Sequence, residues 1–387
     1  MPTLEEFGQL PYNNGDYTEF SLSQGNLPRN QHLNTAENGV VPFDENRVQL
    51  KQTSDESDYI NASWINAPAS DKTYSIAKIH PYLPICQIGL ICTQIPNKDS
   101  INRYNKMIID NKVGIIVHFS SPLVEFANPE KIFGKSLVSR KTIRKEEFKD
   151  FLDKEKFEID YDKKVHELKF FRFKGWTRKE RLDGDAIRKM LSLISIIRNE
   201  VGGKNGISWY KYGINMVVQD DHGGSSTAAI FISLLCLLEQ IDGALLSGNY
   251  ESNEKEASSI DIFKKVSELR SKRMKMITSF EEYKFLYQCV MHYVHHKDDY
   301  DKMIEQEDKK LVETSNNHQK SNIHAVPNEE SKNVVDDEIP FEYADDDVFG
   351  YAKWTADGYA IDKRSSRSVK DLIHSEGDYF DGYKVYS

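Results

Sequence analysis

Residues 214–241 read INMVVQDDHGGSSTAAIFISLLCLLEQI, and the reading of this stretch decides the fold class. Ile214 to Val218 is a short apolar run with β-branched residues, which is the signature of a strand. Thr227 to Ile241 is longer, and its apolar positions recur at three- and four-residue steps, which predicts a helix. The polar residues Gln219 to Ser226 lie between them, with Gly223 and Gly224 where a tight turn has to form. A strand that ends in a glycine turn and opens a long helix points several backbone N–H groups and the positive end of the helix dipole at one spot. That arrangement is an anion-binding scaffold.

Working outward, Val113 to Phe119 (VGIIVHF) and Glu167 to Phe173 (ELKFFRF) read as further strands. Helical spacing recurs over Asp183 to Val201, Ile260 to Met276 and Phe280 to His295. Short strands alternating with long amphipathic helices describe an α/β domain. The chain has 387 residues, more than one compact domain usually needs, so we expect a domain and an appendage. Residues 1–28 are rich in Asn, Gly, Ser and Tyr and read as a loosely ordered arm with a short helix near Leu4 to Leu10. The domain then runs over 29–297. Residues 298–387 form an acidic, tyrosine-bearing linker and tail that we expect to be largely disordered, with a polar stretch from Thr314 to Asp337.

The net charge of -10 argues against a general nucleic-acid binder. Residues 301–387 hold 20 acidic and 11 basic side chains, so nearly all of the excess negative charge belongs to the tail. Cys86, Cys92, Cys236 and Cys289 lack metal-type spacing and are expected to be buried thiols in a reducing compartment. The N-terminus has no basic flank followed by an apolar stretch, and the longest apolar run, Ala228 to Leu238 broken by Ser233, is too short to span a bilayer. The expectation is a cytoplasmic protein with no membrane insertion, no cofactor and no metal.

A family resemblance adds to this reading. Ser57-Asp58-Tyr59-Ile60-Asn61-Ala62-Ser63-Trp64-Ile65 resembles the DYINAS signature of classical protein tyrosine phosphatases, and Pro42 to Val48 resembles their PFDxxRV segment. Thr93-Gln94-Ile95-Pro96-Asn97 resembles TQGPxxN, with Ile95 in place of Gly. Phe173-Lys174-Gly175-Trp176 resembles the approach to the mobile acid loop, and Arg273 to Tyr287 resembles the segment that closes the domain. The resemblance covers about 29–297 and implies a central twisted mixed sheet flanked by helices.

It also implies altered chemistry. Active members carry HCxxGxxRT where this chain has Gln219-Asp220-Asp221-His222-Gly223-Gly224-Ser225-Ser226-Thr227. Asp220 then stands at the nucleophilic Cys and Ser226 at the phosphate-binding Arg, with Gly223, Gly224, Ser225 and Thr227 left as the loop's binding residues. Arg178, in Trp176-Thr177-Arg178, takes the place of the general-acid Asp. Thr278 and Glu282 align with the glutamines that position water, and His32 or Glu37 takes the place of the substrate-recognition Tyr. A carboxylate is a weaker nucleophile than a thiolate, and two like charges 4 Å apart repel by about 4 kcal/mol at an effective dielectric of 20.

The residues between Gln219 and Thr227 have two readings: caps for the helix start, or a remnant site in which an internal carboxylate replaces the phosphate ion. The basic stretches Arg140 to Lys149 and Arg172 to Arg181 are either solvated surface or a docking face for an acidic partner or for the chain's own tail. Tyr343, Tyr351, Tyr359, Tyr379 and Tyr383 lie beside Asp, Glu or Gly, and with Tyr386 they are candidate regulatory sites. The expected function is that of a pseudophosphatase, not an enzyme, serving as a binding scaffold or regulator for a protein partner. A kinase or a phosphotyrosine-pathway protein would be such a partner. The alternatives are a divergent phosphatase with residual or metal-assisted activity through Asp220, and a phosphotyrosine reader.

Overall fold

The computed structural model describes residues 1–11, 23–35, 39–51, 57–67, 89–119, 128–143, 150–174, 183–202, 215–246, 260–297 and 300. The chain divides into Met1–Ile304 and Glu305–Ser387, and the second unit lies outside the described residues. The first is built on an eight-stranded sheet. Its strands are β1 (Arg47–Gln49), β2 (Tyr59–Asn66), β3 (Leu90–Gln94), β4 (Val113–Phe119), β5 (Leu137–Ile143), β6 (Leu152–Tyr161), β7 (Lys164–Phe173) and β8 (Asn215–Asp220), in the order β1-β2-β3-β8-β4-β7-β6-β5. β8 lies between β3 and β4 and runs parallel to both, β4 is parallel to β7, and the outer pairs are antiparallel.

Every residue of β8 is buried, because both faces of the sheet are covered. Alternation along the strands sends Val117, Val218, Phe171 and Phe173 into one core. That core is shared with α5 (Gly184–Gly202), α6 (Thr227–Leu246), α7 (Ile262–Lys272) and α8 (Phe280–His295). Ile116, Val217, Phe157 and Phe170 point the other way and pack with α3 (Ile101–Asp110) and α4 (Pro129–Phe133). Among the described residues no helix is long and apolar enough to cross a membrane.

β4 and α8 have the bounds expected from their periodicity. Elsewhere the structure extends or corrects the reading. β7 starts at Lys164, because Asp162 and Lys163 take positive φ (55° and 62°) and close a tight hairpin with β6. β6 itself (LDKEKFEIDY) gave no strand signal, since charged residues fill its exposed face. The helix expected over Ile260 to Met276 stops at Lys272, where Arg273 turns extended (φ -147°, ψ 138°) and bridges to Pro42.

The short helix expected near Leu4 to Leu10 is present, and it docks on the domain. In α1 (Leu4–Gly8) and the residues after it, Leu10 is buried and the Phe7 ring lies 5.6 Å from that of Tyr283. The Glu6 carboxylate accepts the Tyr283 hydroxyl and, at 2.6 Å, the Tyr287 hydroxyl. Arg270 stacks on Phe7 and donates to the Pro11 carbonyl. Fully burying one such apolar side chain stabilises by about 2 kcal/mol, and α2 (Pro28–Gln31) then continues the chain toward β1.

Candidate functional site: a loop filled by its own carboxylate

Asp220 ends β8 in the centre of the sheet, 1% exposed. Its carboxylate turns into the loop that follows. Oδ1 accepts the backbone N–H groups of His222 (3.0 Å) and Gly224 (2.5 Å), and Oδ2 accepts those of Ser226 (3.3 Å) and Ala228 (3.1 Å). Four amides that would otherwise face an anion are therefore bound to a carboxylate of the same chain. Burial pushes the Asp220 carboxyl above the ordinary carboxylate range and Asp221 adds to the rise, while the N–H groups of Gly224 and Ala228 and the nearby His222 pull it back.

The loop closes so tightly because of Gly223 and Gly224, both at positive φ (74° and 80°). A Cβ on Gly224 would sit 2.4 Å from Cys92 Sγ, so no other residue fits there. From beneath, the fully buried Arg273 donates through Nε to the Gly223 carbonyl (2.8 Å), and its other two nitrogens reach Ser63 Oγ (2.9 Å) and Asn61 Oδ1 (2.8 Å). Burial lowers the Arg273 pKa, with Cys92, Tyr59 and Asp220 opposing it. Cys92 contacts the Gly224 carbonyl at 3.4 Å, and burial pushes its thiol up to about 12, so it is not a ready thiolate.

On the helix side, Ser226 Oγ donates to Glu282 Oε1 at 2.5 Å. The other Glu282 oxygen accepts the N–H groups of Thr278 (2.7 Å) and Ser279 (3.1 Å) and the Thr278 hydroxyl (3.0 Å). Ser279 accepts the Glu282 N–H in return, which makes a capping box at the start of α8. Ser225 donates to the His222 carbonyl and receives Ile277 N–H on its own carbonyl. Thr227 is the first residue of α6.

One residue before Asp220, a buried relay begins. The Tyr104 hydroxyl donates to Gln219 Oε1 at 2.6 Å, which leaves Gln219 Nε2 to donate to His118 Nδ1 at 2.9 Å. His118 is therefore the neutral tautomer protonated at Nε2, and burial, with Arg172 adding to it, lowers its pKa to about 3.

The family model described as protein-tyrosine phosphatase matches residues 30–292, most of the chain and all of this site. The chain belongs to the protein-tyrosine phosphatase family. Among its relatives, rat receptor-type tyrosine-protein phosphatase zeta is 26% identical over 291 residues, which are 71% of this chain and 10% of that protein. Human receptor-type tyrosine-protein phosphatase C is 26% identical over 75% of this chain and 22% of its own length. Tyrosine-protein phosphatase 1 of Schizosaccharomyces pombe is 25% identical over 70% of this chain and 45% of its own. The chain thus spans well under two thirds of each of these relatives. A solved structure of PTPN18 in complex with HER2 phosphor-peptides superposes with a TM-score of 0.52 at 16% identity, over 74% of this chain and 98% of that one. That likeness is one of fold.

Within this phosphatase-family domain, the positions singled out in the sequence divide clearly. Asp220, Ser226, Thr278 and Glu282 come together in one hydrogen-bonded assembly around the loop, with Gly223, Gly224, Ser225 and Thr227 forming its wall. Arg178, Glu37, Cys86 and the tyrosines Tyr343, Tyr351, Tyr359, Tyr379, Tyr383 and Tyr386 lie outside the described residues. His32 is exposed at the end of α2, and its carbonyl accepts from Asn97. Sequence reasoning assigned no role to Arg273, Cys92 or the His118–Gln219–Tyr104 relay. The signal for Arg273 was present, since it opens the closing segment and its partners Asn61 and Ser63 belong to the DYINAS stretch. Among the described residues no group of three or more His, Cys, Asp or Glu side chains could hold a metal ion.

Proposed function

We propose that this member of the phosphatase family is a pseudophosphatase, a binding scaffold or regulator in cytoplasmic phosphotyrosine or kinase signalling that does not hydrolyse phosphotyrosine. The observation that carries this reading is the Asp220 carboxylate accepting four loop N–H groups. An incoming phosphate dianion needs those same donors, and it would meet a buried acid in their place. Ser226 supplies no cation to hold equatorial oxygens, and its hydroxyl is already committed to Glu282. In the resemblance, Arg178 replaces the acid that protonates the leaving group.

The direct test is turnover of a phosphotyrosine peptide by the purified full chain. We expect none. Hydrolysis that is abolished by Asp220→Ala would overturn the reading. Calorimetric titration with the same peptide separates a reader from a scaffold: uptake by the wild-type chain would favour phosphotyrosine recognition, and we expect no heat of binding.

A further inference from the structure

The end of α8 runs Met291-His292-Tyr293-Val294-His295-His296, so three imidazoles recur at i, i+3 and i+4 on one face of its last turn, at the opposite end of the helix from Glu282. The His292 and His296 rings are stacked, with centroids 4.3 Å apart and planes 21° from parallel. His296 Nδ1 lies 3.1 Å from the His292 carbonyl and His295 Nδ1 lies 2.7 Å from that of Met291, so both of these nitrogens donate. His292 Nδ1 instead accepts the Tyr300 hydroxyl at 3.3 Å, which requires a neutral ring.

Tyr300 packs on this helix end. It is 6% exposed, its N–H donates to the His296 carbonyl at 3.4 Å, and its ring lies 5.8 Å from that of Tyr293 and 6.1 Å from that of His292. The surroundings oppose a proton on His292. His295 and His296 flank it on its own helix, and Arg188 approaches from α5, where it also lies 3.5 Å from Asp185. The acid that α6 brings to this end, Asp242, is already bound by Arg198 (2.8 Å), Lys297 (3.2 Å) and the Tyr293 hydroxyl (2.9 Å). α1 brings only Glu6, which is engaged further up the helix by Tyr283 and Tyr287. Burial, with His296, Arg188 and His295 adding to it, lowers the His292 pKa below the ordinary imidazole value.

We propose that the His292–His296 stack is a pH-sensitive latch that holds Tyr300 against the end of α8 and releases it when His292 takes up a proton. Protonation turns His292 Nδ1 from an acceptor into a donor, which removes the site of the Tyr300 hydroxyl, and it sets a cation against the face of His296. Departure of Tyr300 opens His292 to water, where the imidazolium is solvated. The released form therefore binds the proton more tightly than the latched form. The latch is fully closed above about pH 6.5 and weakens as the pH falls below it. Tyr300 is the last described residue of the first unit, so the latch decides whether the chain leaves the domain at Tyr300 or at the end of α8.

The test is amide hydrogen exchange of the full chain between about pH 7.5 and about pH 5, corrected for the intrinsic pH dependence of exchange. Protection of the Tyr300 N–H should fall about tenfold over that range, within the limit of about tenfold per pH unit that one proton sets. His292→Gln keeps an acceptor and cannot be protonated, so its protection should stay flat. His296→Gln removes the neighbouring imidazole, and the fall should shrink to about threefold. Thermal unfolding at the upper pH checks that both variants are folded. Constant protection in the wild-type chain or an equal fall in His292→Gln would overturn the proposal. So would a parallel loss of protection in β8 and α6, which would mean that the whole domain opens as His118 becomes charged.

Discussion

Two helices begin within a hydrogen bond of one another, and they begin differently. α8 starts with local chemistry: Ser279 and Glu282 satisfy each other's backbone within four residues, as in many surface helices. α6 starts with a carboxylate from the preceding strand, seated inside a loop with two glycines at positive φ. The first arrangement only needs a helix. The second requires a loop shaped to surround an anion, and in this chain the anion is Asp220. Ser226 Oγ to Glu282 Oε1 joins the two, so the capping residue of α8 also anchors the loop of α6.

The sharpest way to break this comparison is Asp220→Ala. It strips the acceptor from four buried N–H groups, and we expect a loss of about 4 kcal/mol in denaturant unfolding. Part of that loss should return when inorganic phosphate is added, while the wild-type protein gains nothing. Equal gains by both proteins would mean that the loop is not filled by Asp220. Next in size is Glu282→Ala, which removes the capping box and leaves the Ser226 hydroxyl without its acceptor. About 2 to 3 kcal/mol should be lost, against about 1 kcal/mol for Ser279→Ala, which affects α8 alone.

The relay beside Asp220 gives a pH signature. His118 stays neutral in the folded protein down to about pH 3, but in the unfolded chain it takes up a proton near pH 6.5. Its contribution is therefore fully present above pH 6.5 and is lost as the pH falls through the window toward 3. By pH 5 the loss reaches about 2 kcal/mol. His118→Gln, which can still accept from Gln219, should flatten the stability profile over pH 5 to 7 by that amount. The smallest effect is expected for Ser226→Ala, about 1 kcal/mol, and a double-mutant cycle with Glu282→Gln would measure the link between the two helix starts.

Much of this was legible in the sequence, for reasons that can be named. β4 and α8 lie in windows where burial is complete or strictly periodic, so their bounds follow from residue type. The strand, glycine turn and helix at 214–241 were legible as a unit, and in the structure Asp220 accepts N–H groups both in the turn and at the helix start. β5 and β6 were not legible, because their outer faces are charged and the inward alternation is diluted. Docking of α1 was not legible either, since Glu6, Phe7 and Pro11 find partners more than 250 residues away in the chain.

By itself, then, the sequence determined the fold class, the position of the loop and the residue types in it, because periodicity and glycine placement are local properties of the backbone. Tertiary structure alone decided where those residues point. The inward turn of Asp220 depends on β3 and β4 burying it on both sides and on Cys92 and Arg273 holding Gly224 and Gly223 in place. The meeting of Ser226 with Glu282 and of Arg273 with Ser63 and Asn61 depends on segments far apart in the chain. Such contacts arise from packing, and no local pattern records them.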